Sequence, residues 1–384
     1  MKKIFLIFYL FCFTSITSAQ NYKLVWEDNF DHLELNESQH WTVEVNGDGG
    51  GNNEMQYYRR ENIGIEQHTS GVNCLVINAR RESFGGKLVT SGRLVTRGKV
   101  ACKYGKIEAR IKLPATANGL WPAFWMMGED YSSVGWPKCG EIDILEMGNT
   151  NGIKNGTQDR YFNGACHWGE SWNGGSYPNY AKATTSLYSL QDDFHLYTLI
   201  WDATAIKMYL DLDKYPDNTP YYEMTINGPD VDNNPSRYFH KPFSILLNLA
   251  VGGHFTGITG NSNLPKITAL PIDGSNVKMY VDYVKIYQKG VEGELYSGPT
   301  LKTAINEQKM QVTDVYPNPV NSILRLSGTE EMSKINIFSI TGQCIESINT
   351  PTPELNVSNL KSGLYLLNIV YKNKLERTIN LIKK

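Results

Sequence analysis

The sequence has little cysteine, no long apolar run and no excess of charge of one sign, and each shortage removes a class of protein. Its six cysteines include Cys12 in the leading segment; the others, Cys74, Cys102, Cys139, Cys166 and Cys344, are odd in number and lack metal-type spacing. A disulfide-built fold and a cysteine-ligated metal are excluded, while a single disulfide pair and small buried thiols stay open as alternatives. No stretch of about 20 apolar residues occurs, so no membrane-spanning helix is expected. Lys and Arg number 37 against 39 Asp and Glu, a net charge of −2, which makes nucleic acid an unexpected partner. An apolar repeat of helical period is also missing, so helices should be few.

What is present reads as β-structure. Short Val, Ile, Tyr, Phe and Thr runs at 74–79, 106–113, 194–201, 206–212, 243–250 and 277–287 are punctuated by Gly, Asn, Asp and Pro. Residues 1–19 form an export signal: Lys2 and Lys3, an apolar run from Ile4 to Phe13, then Thr17-Ser18-Ala19. A first domain spans 20–289, a Gly-, Ser-, Pro- and Thr-bearing linker covers 290–311, and a small β-sandwich follows at 312–384. This last unit has no cluster of acids, histidines or tryptophans suited to chemistry or to sugar binding. Its Tyr316-Pro317-Asn318-Pro319, 337–342 strand and turn, 360–365 segment and terminal Lys383-Lys384 resemble the sorting domain of the Bacteroidetes type IX secretion system. That resemblance implies export through the periplasm and across the outer membrane by the type IX machinery.

The chemistry is written in Gly140-Glu141-Ile142-Asp143-Ile144-Leu145-Glu146-Met147. On a strand Glu141 and Asp143 share one face, with Ile142 and Ile144 on the other. Glu146 is five positions from Glu141, which breaks the parity; one extra residue near Ile144-Leu145, a β-bulge, restores it to the acidic face. Inward lean and sheet curvature then predict a carboxylate gap of about 5–6 Å, the range of a retaining glycosidase. Because crowded carboxylates cannot all ionise, Glu146 is expected to hold a proton as general acid and Glu141 to be the ionised nucleophile. Asp143 lies between them, bonds the nucleophile and keeps the acid protonated by its charge. A solvated acidic edge strand is the competing reading, disfavoured by the alternating aliphatic residues.

With Trp121-Pro122-Ala123-Phe124-Trp125 before it and Trp136-Pro137-Lys138-Cys139 adjoining, this segment resembles the active-site signature of glycoside hydrolase family 16 in its six-residue form. Asn52-Asn53-Glu54-Met55-Gln56-Tyr57-Tyr58, Ser91-Gly92-Arg93, 104–110, 193–197, 248–253 and Val281-Asp282-Tyr283-Val284 follow in family order and resemble laminarinases. The resemblance implies an all-β jelly-roll of two curved antiparallel sheets with an open concave cleft, and endo-cleavage of β-1,3-glucan by double displacement. Trp121, Trp125 and Trp136 are expected to stack on sugar rings, the first two on the glycone side. Asn53, Arg93 and His167 are expected to hold sugar hydroxyls, and His195 to be structural. No cofactor is needed for the reaction. A structural calcium is implied by the family, with Asp282 and Asn29 as candidate ligands. Gly49-Gly50-Gly51 stands where many laminarinases carry a Trp, and His254-Phe255 where an Asn and an aromatic are frequent. The expected partners are β-glucan and the secretion machinery, the expected state a monomer. Rivals are an agarase- or carrageenase-like galactan hydrolase, a transglycosylase and a non-catalytic glycan-binding lectin.

Overall fold

Alternating apolar and polar residues fold as strands throughout the computed structural model, which describes residues 21–300, 315–372 and 376–384. The expected signal at 1–19, linker residues 301–311 and the first residues of the terminal unit, 312–314, lie outside the described residues. The described chain forms two compact units. Among the described residues no helix is long and apolar enough to cross a membrane.

In the first unit two sheets pack as a jelly-roll sandwich. The outer sheet runs in the order Tyr222–Thr225, Ala205–Leu210, His195–Trp201, Gly105–Lys112, Val277–Gln288, Asn73–Phe84, Lys87–Ser91 and Gln56–Tyr58, with Lys23–Asp28 and Ile63–Gln67 pairing off this path. The site-bearing sheet runs Asn179–Thr185, Tyr161–His167, Glu141–Met147, Leu120–Gly128, Phe243–Val251, Arg93–Val95 and Thr42–Val43. One apolar core joins the two: Ile107, Ala109, Leu199 and Val281 from the outer sheet meet Phe124, Met126, Ile142, Leu145 and Leu247 from the other. The strand Leu120–Gly128 shows how the sequence chooses its faces. Leu120, Phe124 and Met126 enter this core, whereas Ala123, Trp125 and Met127 form a separate cluster on the opposite face with Val95, Cys139 and Leu246.

The segment read as a linker from 290 is in part built into the first unit. Leu295–Ser297 pairs antiparallel with Ala101–Lys103. The Glu294 carboxylate accepts the backbone N–H groups of Lys289, Gly290 and Val291, closing a turn. The five described cysteines are all free thiols; the buried Cys74, Cys102, Cys139 and Cys166 fit the small-hydrophobe alternative, whereas Cys344 is exposed. In the second unit a three-stranded and a four-stranded sheet enclose a core that includes Val320, Leu324, Ile335, Ile337, Leu367 and Leu381.

Candidate active site

The irregularity that parity demanded is present. Glu141–Met147 pairs with Tyr161–His167 through Asp143↔Ala165 and Glu146↔Asn163, leaving Ile144 and Leu145 opposite the single Gly164. Ile144 is also skipped in the pairing with Leu120–Gly128. Both bulge residues are fully buried, so the acids before and after them share the opposite face. The Tyr221 hydroxyl donates to the Ile144 carbonyl, which satisfies a backbone group taken out of the ladder. Gly164 allows that approach: a Cβ there would lie 3.2 Å from the Tyr221 ring and 2.8 Å from the Met208 sulfur.

Each outer acid has one oxygen bound by an indole. Trp136 Nε1 donates to Glu141 Oε2 at 3.0 Å, and Trp121 Nε1 donates to Glu146 Oε1 at 3.1 Å. Burial pushes both carboxyls up, Glu141 to about 7 and Glu146 to about 8. For Glu141 the Trp136 bond and the Arg93 charge oppose burial; for Glu146 the charge of Glu141 adds to it and the Trp121 bond opposes it. Glu141 therefore gives up its proton first as pH rises. Asp143 is only 4% exposed, and burial, Glu141 and Glu146 hold its carboxyl well above the usual range. Proton-holding on the strip is thus shared between Asp143 and Glu146, where the sequence suggested Glu146 alone.

The other expected residues gather around this strip. His167 faces Glu141 in the strand register and its Nε2 lies 3.4 Å from Asp143 Oδ2. Burial lowers the imidazole to about 4, so it is neutral at neutral pH and the contact is not an ion pair. Arg93 lies over the rings of Tyr58 and Trp125, 5.3 and 5.0 Å from their centroids, with Glu44 at 3.6 Å. Trp125 Nε1 donates to Asn248 Oδ1 at 2.7 Å. Asn53 Nδ2 meets His254 Nε2 at 2.7 Å. Trp121 is stacked on Phe255, centroids 4.7 Å apart and planes 11° apart, so one indole face is covered. Trp136 meets Tyr177 edge-on at 4.7 Å. His195 is buried, bonded through Nδ1 to Asp211 Oδ2 at 2.7 Å and stacked on Tyr188, consistent with a structural role.

The candidate calcium ligands do not fit a cation. Asp282 Oδ2 accepts from Arg110 Nη1 at 2.6 Å, so a guanidinium already stands where the metal charge would be, and Asn29 adds no charge of its own. Among the described residues the one cluster of metal-ligand type is Glu141, Asp143 and His167, within 4.8 Å of one another; it shares Glu141 and Asp143 with the acidic strip and leaves out Glu146.

Sequence reasoning missed Tyr177 and Asn248, and noted Phe255 only as a departure from the laminarinase pattern. Tyr177 sits in a loop without periodicity. Asn248 belongs to a patterned strand, where alternation places it on the face of Arg93, its partner in register; that signal was readable.

Comparisons with known proteins give matches to both units. The sequence signature of glycosyl hydrolases family 16 matches residues 37–241, and that of the secretion system C-terminal sorting domain matches 314–384. A Rhodothermus marinus beta-glucanase is 35% identical over 274 residues, 70% of this chain and 86% of that protein. The clotting factor G alpha subunit of Tachypleus tridentatus is 35% identical over 269 residues, 70% of this chain but 34% of the relative, so the chain spans about a third of that protein. The structure of a Bacteroides ovatus mixed linkage glucan family 16 protein with a G4G4G3G product is 38% identical, with a TM-score of 0.59, and covers 68% of this chain and 99% of its own.

Proposed function

The chain belongs to glycoside hydrolase family 16 and ends in a sorting domain for type IX export to the cell surface or beyond; from that premise we propose that it is a retaining endo-β-1,3-glucanase. The observation that carries the reading is the bulged strand, which presents Glu141, Asp143 and Glu146 on one face with an indole on each outer carboxylate. Glu146, pushed up to about 8, keeps a proton near neutral pH for the leaving oxygen. Glu141, held lower by Trp136 and Arg93, attacks the anomeric carbon to form a glycosyl ester. Glu146 then removes a proton from water, which releases the product with retained configuration. Asp143 stays protonated between them and limits the repulsion that a third charge would add. No step calls for a cofactor. Trp125, Asn53, Arg93 and His167 supply the sugar-binding wall in this reading, and residues 20–289 and 312–384 its catalytic and sorting domains.

One observation favours a second substrate. The Bacteroides ovatus relative, with its G4G4G3G product, supports hydrolysis of mixed β-1,3/1,4-glucan by the same site. Reducing-sugar release from laminarin, lichenan, agarose and carrageenan separates the readings, with NMR of the first-formed anomer. Activity greatest on laminarin with the β-anomer formed first is expected; preference for lichenan selects the second reading. Activity confined to agarose or carrageenan selects a galactan hydrolase, products longer than the supplied oligosaccharide a transglycosylase, and binding without turnover a lectin. An α-anomer formed first would refute double displacement.

A further inference from the structure

The two outer acids are held in a similar way. Each accepts an indole N–H, and each indole has a second aromatic ring against it: Phe255 stacked on Trp121 with planes 11° apart, and Tyr177 edge-on to Trp136 at 70°, both at 4.7 Å. We propose that Phe255 and Tyr177 are positioning residues that act on Glu146 and Glu141 separately, each by fixing the indole that donates to its carboxylate. The inference rests on the roles given to the two acids above.

An indole donates only in its ring plane and from one atom. Rotation of the ring about its side-chain torsions therefore removes the bond, and a neighbour packed on the ring prevents that rotation. Phe255 is placed by a tight loop. Gly253 N–H donates to the Ile258 carbonyl at 2.7 Å, and His254 is tied to Asn52 through its backbone and to Asn53 through its ring. Gly253 has a φ of +95°, and a Cβ there would lie 3.3 Å from Trp121 Cζ3, so the loop runs directly against the indole. Tyr177 belongs to a different loop, closed by the Trp168 N–H on the Pro178 carbonyl at 3.1 Å. In that loop Glu170 binds Lys138 at 2.7 Å and accepts the Tyr238 hydroxyl at 3.0 Å. Lys138 lies in the turn that carries Trp136, so the Tyr177 loop and the Trp136 turn are fastened together.

An N–H donated to a carboxylate favours its ionised form, so loss of either indole bond should raise the pKa of that acid. Glu141 is faced by Trp136, Arg93, Asp143, the neutral His167 and Tyr177. Glu146 is faced by Trp121, Glu141, Asp143 and Tyr177. Phe255 brings no charge to either acid, so its removal acts through Trp121.

The test is the pH profile of kcat/KM on the glucan that the wild type cleaves. Phe255→Leu is expected to move the alkaline limb upward by about 0.5–1 pH unit, leaving the acid limb in place. Tyr177→Leu is expected to move the acid limb upward by a similar amount. The ring-keeping variants Phe255→Tyr and Tyr177→Phe should keep the wild-type profile. If a Leu variant does not fold, Phe255→Met and Tyr177→Met take its place. Carbon NMR of glutamate-labelled protein, assigned with Glu141→Gln and Glu146→Gln, reads the same two titrations without turnover. Folded variants that leave both titrations unchanged, or that move the same one, overturn the inference. A wild type that cleaves no glucan overturns the functional reading instead, and the NMR titrations still decide this one.

Discussion

Replacing Glu146 by Gln should stabilise the protein, and the gain should depend on pH. Glu146 goes from an ordinary 4.5 to about 8 in the folded chain. Between those values the folded state binds the extra proton, so unfolding free energy falls as pH rises and the full cost is present above about pH 8. A shift of about 3.5 units corresponds to about 5 kcal/mol at 1.36 kcal/mol per unit. The carboxyl is only partly buried, so groove water screens it, and about 2–3 kcal/mol is the figure to expect. The Gln amide removes the charge and keeps an oxygen for the Trp121 N–H, so little else changes. Thermal melts of the two proteins should nearly coincide near pH 4.5, whereas near pH 9 the variant should melt roughly 4–9 °C higher, at about 2–3 °C per kcal/mol for a domain of this size. Charges beyond the strip cancel in the difference between the two proteins, and relief of the repulsion that Glu146 exerts on Asp143 adds to the gain in the same direction. A gap that does not change with pH, or a variant less stable at the alkaline end, would refute the claim that Glu146 is raised by its burial.

Other consequences follow from the same geometry. Glu141→Ser and Glu146→Ala should fold and lose hydrolysis; azide should restore turnover of an activated aryl glycoside, with inverted product from the first and retained product from the second. In the wild type, kcat/KM should follow a narrow bell with limbs near about 7 and 8, the macroscopic values of the coupled acids; a plateau extending below pH 5 would contradict a buried nucleophile. Tyr221→Phe leaves the Ile144 carbonyl without its partner, so it should cost about 1–3 kcal/mol in urea unfolding and lower kcat more than it raises KM. EDTA should leave the melting temperature unchanged because Arg110 already occupies Asp282, while Arg110→Gln should lower stability by about 0.5–1 kcal/mol in the same unfolding assay; a drop caused by the chelator would show a bound cation.

How much of this could be read in advance depended on periodicity. The alternation of Glu141, Ile142 and Asp143 assigns two faces without any tertiary knowledge, and the misplaced parity of Glu146 points to the bulge because only an inserted residue reconciles it. Trp125 and Trp136 were likewise found near the acids by proximity in sequence. The orientation of Trp121 was not readable. Its face is covered by Phe255 and its N–H is spent on Glu146, an arrangement set by a loop more than a hundred residues away. Tyr177 escaped notice for the same reason, since a loop has no period to betray which side chain turns inward. Asp282 shows a further limit: its place on a strand was legible, but its partner Arg110 lies on a neighbouring strand, and sheet order decides whether that carboxylate meets a metal or a guanidinium.

The bulge also explains how the sheet tolerates so costly a face. A regular strand would place one of the pair Ile144 and Leu145 in the groove; the extra residue lets both be fully buried. Burying an aliphatic side chain of this size contributes about 1.5–3 kcal/mol, so the second one is worth roughly what the raised carboxyl of Glu146 costs. Placing Glu146 on the acidic face and placing both aliphatic residues in the core are the same geometric event. Glu146 is therefore held in its unfavourable position by hydrophobic burial on the far side of its own strand.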